Sequence, residues 1–363
     1  MSKPLILIGA GGTGGHLFPA EATTLELIEH GYQVAIATDS KSKSFSNFDK
    51  HPDVKVVRFA GGGVASGSKI EKIKGAFCIC IGIVQAFFWI KKHKPKMAIG
   101  FGGYASVPPV LGARLSGVAY LVHEQNAVLG RANRLLAKKA KAILTGFKNV
   151  QQCPKETPQH WVGTPVRGTF LLDPIRNYHE TKNFNLLVLG GSQGAKIFTS
   201  LIPQAIGLLP EALQEHIYVT HQVRAEYINE AEAAWQNNKA QYELAPFYKD
   251  VAQKMADSHL YIGRAGASTL SECLATTLPS IMVPYPYAVD DHQFFNGKNL
   301  ADQGCGWLIR ENELTSEILA DALKALIFEP ERLEAASKAC EQVAKLDATK
   351  QIADVVSTLI KNI

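Results

Sequence analysis

The sequence predicts an α/β protein of two domains, each a parallel sheet wrapped by helices, and three observations predict it. Apolar runs of strand length alternate with helix-length amphipathic stretches almost from end to end, the pattern of doubly wound sheets rather than of sandwiches or bundles. The series restarts about 180 residues on. Both series open alike, with an apolar strand running into a glycine-rich turn and then a helix: LILIGAGGTGGH in the first and NLLVLGGSQGA in the second.

Taken in order, the predicted strands of the first series are Leu5–Ile8, Gln33–Ala37, Val54–Phe59, Met97–Gly100, Ala119–His123 and Ala142–Thr145. Residues 150–185 then carry Pro154, Pro158, Pro165 and Pro174 among polar residues, the composition of a connection. Strands resume at Asn185–Leu189 and continue through Ile217–Thr220, His259–Ile262, Ser280–Val283 and Gly306–Ile309. Two amphipathic helices, 315–345 and 348–362, close the chain. The expected boundaries are 1–163 for the first domain, 164–184 for the linker, 185–345 for the second domain and 346–363 for a final helix.

A chain of 363 residues with 46% hydrophobic and 20% charged residues is long enough for two cores. Its net charge of +5 suits anionic lipid, a diphosphate or nucleic acid. The lysines cluster around an apolar helix instead of alternating with stacking aromatics, which argues against nucleic acid. The six cysteines form no CxxC pair and no Cys/His cluster, so a reducing cytoplasm without a structural metal is expected. Leu5–Ile8 is too short for the apolar region of a secretory signal. Ala76–Ile90 is about fifteen residues against the roughly twenty that a membrane span requires, and no transmembrane helix is predicted.

Three loops carry the chemistry. Gly9, Gly11, Gly12, Gly14 and Gly15 end the first strand, with His16 directly after them; such glycines let backbone N–H groups approach a phosphate at a helix start. Gly9, Gly11 and Gly14 also satisfy GxGxxG, and Asp39 ends the second strand where a ribose-binding acid belongs, so a nicotinamide-dinucleotide site is a competing reading. The second half argues against it, because it rebuilds the same fold with further phosphate-type loops. The second loop, Gly190-Gly191-Ser192-Gln193-Gly194, adds a hydroxyl donor at Ser192. The third runs from Gly263 and Arg264 through Ala267, Ser268, Thr269, Leu270 and Ser271 to Glu272, a carboxylate one turn into its helix that is placed either for ribose hydroxyls or merely to complement the helix dipole.

With GAGGTGGHLFPA at Gly9–Ala20, GFGGYAS at Gly100–Ser106, HEQN at His123–Asn126, GTPVR at Gly163–Arg167, GGSQGA at Gly190–Ala195, RAGASTLSE at Arg264–Glu272 and DDHQFFN at Asp290–Asn296, the chain resembles the glycosyltransferases of family 28 that add N-acetylglucosamine to lipid I. The resemblance spans nearly the whole chain. It implies a GT-B architecture of two Rossmann-like domains flanking an inter-domain cleft, with the last helix packing back on the first domain. It also implies an inverting, β-forming transfer from UDP-N-acetylglucosamine to undecaprenyl-diphosphate-linked muramoylpentapeptide, giving lipid II in peptidoglycan synthesis. No metal or other cofactor is expected, and the sequence contains no DxD motif. Carried over residue by residue, the donor site would comprise Thr13, Gly14, Gly15, Asn126, Arg167, Ser192, Ala267–Glu272 and Gln293, with Arg264 at the loop entrance and Tyr248 at a backbone contact to uracil. Gly11, Gly12, Gly103 and Tyr104 would face the acceptor.

Inversion needs a base for the acceptor hydroxyl, and an imidazole titrates near working pH. His16 is the candidate, with Glu124 as the alternative. His292 stands where the family often has glutamine, Gly163-Thr164-Pro165 where Gly-Asn-Pro is common, and Gly61-Gly62-Gly63 where a more basic loop is usual. Ala76–Ile90, with Phe77, Phe87, Phe88 and Trp89, lies between Lys69, Lys72 and Lys74 and Lys91, Lys92, Lys94 and Lys96. That pattern fits a helix docking peripherally on an anionic membrane as well as one covering the sheet, and the resemblance implies the cytoplasmic face of the bacterial inner membrane. Two rivals remain: a UDP-N-acetylglucosamine 2-epimerase of the same fold, and a non-enzymatic nucleotide-sugar sensor.

Overall fold

The computed structural model describes residues 3–12, 14–40, 45, 48, 51–61, 69–172, 174, 176–179, 183–191 and 194–361. The chain forms two compact units, Met1–Arg167 with Lys345–Ile363, and Gly168–Ala344. Of the expected linker, residues 164–167 therefore belong to the first unit and 168–184 to the second.

The first unit runs β1 (Leu5–Gly9), α1 (Gly14–Glu29), β2 (Gln33–Asp39), β3 (Val54–Phe59), α2 (Lys69–His93), β4 (Met97–Gly100), α3 (Val107–Leu115), β5 (Tyr120–Glu124), α4 (Arg131–Ala137), β6 (Ala142–Thr145) and β7 (Gln159–Trp161). Its seven strands are parallel in the order β3-β2-β1-β4-β5-β6-β7. The central strands are apolar on both faces, since helices cover both sides; Ile6, Leu7 and Ile8 are all fully buried.

The second unit runs β8 (Phe184–Leu189), α5 (Lys196–Gly207), α6 (Glu211–Gln214), β9 (Ile217–Gln222), α7 (Ile228–Trp235), β10 (Gln241–Ala245), α8 (Val251–Asp257), β11 (Leu260–Gly263), α9 (Ala267–Ala275), β12 (Ser280–Met282), α10 (His292–Ala301), β13 (Gly306–Leu308), α11 (Ser316–Phe328) and α12 (Pro330–Val343). Its six parallel strands are ordered β10-β9-β8-β11-β12-β13. Arg176 anchors the start of this unit: its guanidinium donates to the carbonyls of Met255 (2.6 Å), Ser258 (2.6 Å) and Thr276 (2.5 Å) and to Thr277 Oγ1 (2.9 Å). The chain then returns to the first unit in α13 (Ala348–Lys361), where Ser357 bonds Tyr32 (2.9 Å) and Thr349 bonds Glu26 (2.8 Å) at the α1 side.

Four elements differ from the sequence reading. Strands β7 and β10 escaped it because each is a polar edge strand, with few buried side chains to mark it. The expected helix 315–345 is two helices, broken where Glu329 leaves helical geometry ahead of Pro330. The apolar helix is not fifteen residues but twenty-five, because α2 includes both lysine-bearing flanks, and its Ile73–His93 stretch is long and apolar enough to cross a membrane. It is nonetheless built into the domain. Ala86 and Ile90 are buried, a Cβ at Gly82 would collide with the carbonyl oxygen of Ala60, and one at Gly112 would come within 2.8 Å of Ala86 Cβ.

Candidate active site

Parallel pairing brings the loops after β1, β4 and β5 together at the carboxyl edge of the first sheet, where open α/β sheets bind ligands. At the first of these, Gly11 and Gly12 lead into α1 and Gly12 takes a left-handed φ of 91°. A Cβ at Gly11 would press on Ala105 Cβ at 2.5 Å, so the loop has no room for a side chain there, and one at Gly14 would displace the Phe18 ring, 2.8 Å away. Gly15 and His16 lie in the first turn of α1, and Thr13 falls outside the described residues.

The His16 ring lies against the backbone of Gly102 and Gly103, which have φ of 83° and 70° and whose added Cβ atoms would come 3.1 Å from ring carbons. His16 Nδ1 is 3.2 Å from Gln125 Oε1. Tyr104 opens a short 3₁₀ turn beside this slot.

Glu124 ends β5, buried, with both oxygens occupied. Oε1 accepts from Asn126 N (3.0 Å) and Nδ2 (3.1 Å), and Oε2 from Gly130 N (2.8 Å) and Asn133 Nδ2 (2.9 Å). A carboxylate holding four donors organises the loop after β5; taking a proton from substrate would require giving up one of these bonds. His123 beside it is fully buried, and desolvation holds it neutral, pushing its pKa down to about 4. Arg167 places its guanidinium over the Phe18 ring of α1 at 4.3 Å.

In the second unit the loops after β8, β11 and β12 converge in the same way. Gly190 and Gly191 follow β8, and Gly190 N donates to Gln222 Oε1 at 3.1 Å; Ser192 and Gln193 lie outside the described residues. At the third loop, Gly266 caps α9 with extended backbone and no side-chain cap. The first bond back to it comes from Leu270 N (3.0 Å), leaving the N–H groups of Ala267, Ser268 and Thr269 outside the helix's own bonding pattern. Ser268 Oγ, at the same end, is buried without a partner among the described residues. An anion at this helix start would find backbone donors, a hydroxyl and the positive end of the helix dipole. Ser271 Oγ is spent on Ala267 O (2.9 Å) and Leu270 is core, so these two offer backbone at most, while Glu272 is half-buried one turn along.

Two predicted donor residues also have structural work. Arg264 is buried; it donates to Val283 O (3.3 Å) and Pro284 O (3.2 Å), pairs with Glu311, and lies 5.4 Å from the Phe198 and Tyr285 rings. It fastens the ends of β11 and β12. Tyr248 is also buried and donates its hydroxyl to Glu243 O (3.0 Å), which leaves only its backbone for a ligand. Gln293 Oε1 accepts from Tyr285 N (2.9 Å), fixing the loop before α10 and turning its amide nitrogen to other uses. That loop is strained: Asp290 and Asp291 both adopt left-handed φ, 55° and 51°, with Asp291 held by Arg310 at 2.9 Å. His292 bonds back to Val289 O at 2.8 Å. Gln125, Asn133 and Glu311 were not assigned from sequence; Gln125 stands inside HEQN, but only tertiary pairing shows what the other two touch.

Exposed residues Ile70, Ile73, Phe77, Ile81, Val84 and Phe88 recur at helical spacing and make one apolar stripe along α2. Lys74, Lys91, Lys92, Lys94 and Lys96 are exposed around it; the side chains of Lys69 and Lys72 are outside the described set. Trp89 does not belong to the stripe. It meets Phe59 edge-on at 6.4 Å and stacks on His93 at 4.2 Å, toward the sheet.

Among known proteins, residues 6–145 match the glycosyltransferase family 28 N-terminal domain and residues 185–352 its C-terminal domain. The chain is 40% identical over 366 residues (99% of this chain and 98% of the relative) to a UDP-N-acetylglucosamine–N-acetylmuramyl-(pentapeptide) pyrophosphoryl-undecaprenol N-acetylglucosamine transferase of Paramagnetospirillum magneticum. It is 38% identical to the protein of the same name in Caulobacter vibrioides, covering 98% of this chain and 99% of the other. The crystal structure of Acinetobacter baumannii MurG superposes with a TM-score of 0.79 at 28% identity, over 98% of this chain and 99% of that one. A putative UDP-N-acetylglucosamine 2-epimerase from Listeria monocytogenes superposes at 0.69 with 13% identity over 100% and 98% of the two chains, a likeness of fold alone.

Proposed function

We propose the reaction of this chain from the premise that it belongs to glycosyltransferase family 28, and within it to the UDP-N-acetylglucosamine–N-acetylmuramyl-(pentapeptide) pyrophosphoryl-undecaprenol N-acetylglucosamine transferases. The enzyme moves N-acetylglucosamine from UDP-N-acetylglucosamine to the muramyl sugar of lipid I, forming lipid II in peptidoglycan synthesis. The observation that carries the donor side is the uncapped start of α9 with its Ser268 hydroxyl, unpartnered among the described residues. It suits the donor diphosphate, whose charge grows as UDP leaves, because fixed donors aimed at developing charge need no reorganisation. Glu272 then reaches the ribose hydroxyls, and Gln293 presents its amide to the sugar.

On the acceptor side His16 is the base. The acceptor oxygen bonds the anomeric carbon from the face opposite the diphosphate while its proton passes to the imidazole. Glu124 positions Asn126 and the Gly130 turn. No metal is needed for this division of labour. The α2 stripe attaches the enzyme peripherally to the cytoplasmic face of the inner membrane, its exposed isoleucines and phenylalanines entering the interface and the surrounding lysines meeting anionic headgroups.

The test is transfer of labelled N-acetylglucosamine from UDP to a lipid I analogue, run with chelator and with acceptor omitted. Acceptor-dependent, chelator-resistant β-linked product is expected. Conversion of donor to its epimer without acceptor would replace this reading by the isomerase, and donor binding without either reaction by a sensor.

A further inference from the structure

We infer that Gln125 is the positioning residue that sets the tautomer of His16, an inference that rests on His16 acting as the base. Gln125 is buried at the start of the loop after β5, and its amide has one orientation open to it. Nε2 donates to Phe101 O at 3.0 Å, and a backbone carbonyl accepts only from the NH₂ side. Phe101 O is itself held in place, since Phe101 N donates to Gly9 O at 2.8 Å and ties the loop after β4 to the end of β1.

With the amide so turned, Oε1 faces His16 Nδ1 at 3.2 Å. An amide oxygen carries no proton, so this bond exists only if Nδ1 is the donor. The neutral ring is therefore the Nδ1–H tautomer, with its lone pair on Nε2. Turning the ring over would put Cδ2 in place of Nδ1 and lose the bond to Oε1, so the same bond selects the ring's orientation.

In the transfer step the bond from acceptor oxygen to anomeric carbon forms as the bond from that carbon to the diphosphate breaks. UDP leaves with the electron pair, and the acceptor proton moves to His16 Nε2. The imidazolium so formed still donates Nδ1–H to Gln125. The geometry thus gives a neutral amide the orienting task that a carboxylate performs in serine hydrolases, without adding a buried charge. The titratable neighbours do not compete for it. His123 on β5 stays neutral, bonded through Nε2 to Gly163 O, and the Glu124 oxygens are held by their four donors.

The experiment is ¹⁵N NMR of the histidine ring nitrogens in the full-length enzyme at pH 8, with the His16 signals assigned by their loss in H16Q. Expected are a protonated Nδ1 and an unprotonated Nε2 in the wild type, and a shift toward protonated Nε2 in Gln125→Leu. That variant should also lose kcat by about 10²-fold, the range of a misplaced general base, with the donor KM within about twofold. In Gln125→Glu the carboxylate should hold His16 as imidazolium and move the acid limb of kcat/KM to higher pH. A wild-type ring protonated on Nε2, or a Gln125→Leu enzyme with unchanged kcat, would overturn the assignment. The ring spectrum needs no turnover, so failure of His16 as base would show separately, as near-normal activity in His16→Ala with the Nδ1–H tautomer still present in the wild type.

Discussion

Acid should unfold this protein through three histidines that it buries neutral, and His221 allows the effect to be isolated. His221 on β9 is fully buried, with no hydrogen-bond partner for either ring nitrogen among the described residues, and desolvation pushes its pKa down to about 3. His123 and His259 are each pushed down to about 4, mainly by desolvation, with Arg176 adding to the effect at His259. The folded values lie below the unfolded value near 6.5, so on acidification the unfolded chain takes up protons first. Stability is full above about pH 6.5 and falls with pH until the folded values are reached, by at most about 1.4 kcal/mol per pH unit for each histidine. Falling from 6.5 to about 4, His123 corresponds to about 3 kcal/mol lost by pH 4. Between pH 7.5 and 5.5 each histidine should cost about 1 kcal/mol. Urea unfolding followed by tryptophan fluorescence would measure it, since Trp235 lies edge-on to His221 with ring centroids 6.3 Å apart. His221→Phe should be about 1 kcal/mol less sensitive than the wild type to that pH change. Equal pH sensitivity in the two proteins would refute the reasoning, whatever the absolute stabilities.

Other expectations follow from the same structure. His16→Ala should lose about 10²- to 10⁴-fold in kcat while Glu124→Gln loses stability first; near-normal turnover in the former with loss in the latter would reverse their roles. Replacing Phe77, Ile81 and Phe88 together by serine should abolish flotation with anionic vesicles and leave donor binding intact, whereas Trp89→Ser should cost folding stability through its packing on Phe59. Gly82→Ala should destabilise the first unit by more than about 1 kcal/mol in thermal unfolding, although alanine is the better helix former, because its Cβ would meet the Ala60 carbonyl.

The glycine-rich loops were legible because glycine at a strand end has a local cause. Gly12, Gly191 and Gly194 take left-handed φ, and Gly11 has no room for a side chain against Ala105, requirements that any sequence must meet in place. The central strands were legible because burial on both faces makes them uniformly apolar. Edge strands β7 and β10 lack that signal. The surroundings of Arg264 were not legible for a different reason: its motif is local, but its partners Glu311, Val283 and Pro284 are brought to it only by the folded sheet.

By itself, then, the sequence determined the α/β class, the repeat of strand, glycine turn and helix, and the family. All of these are properties of neighbours along the chain. Tertiary structure alone decided that Glu124 holds four donors, that Trp89 turns inward while Phe77 and Phe88 stay out, and that Gln125 meets His16 across a separation of 109 residues. A side chain's protonation and its exposure depend on what packs against it, and in a parallel sheet those partners come from strands that are adjacent in space but far apart in sequence.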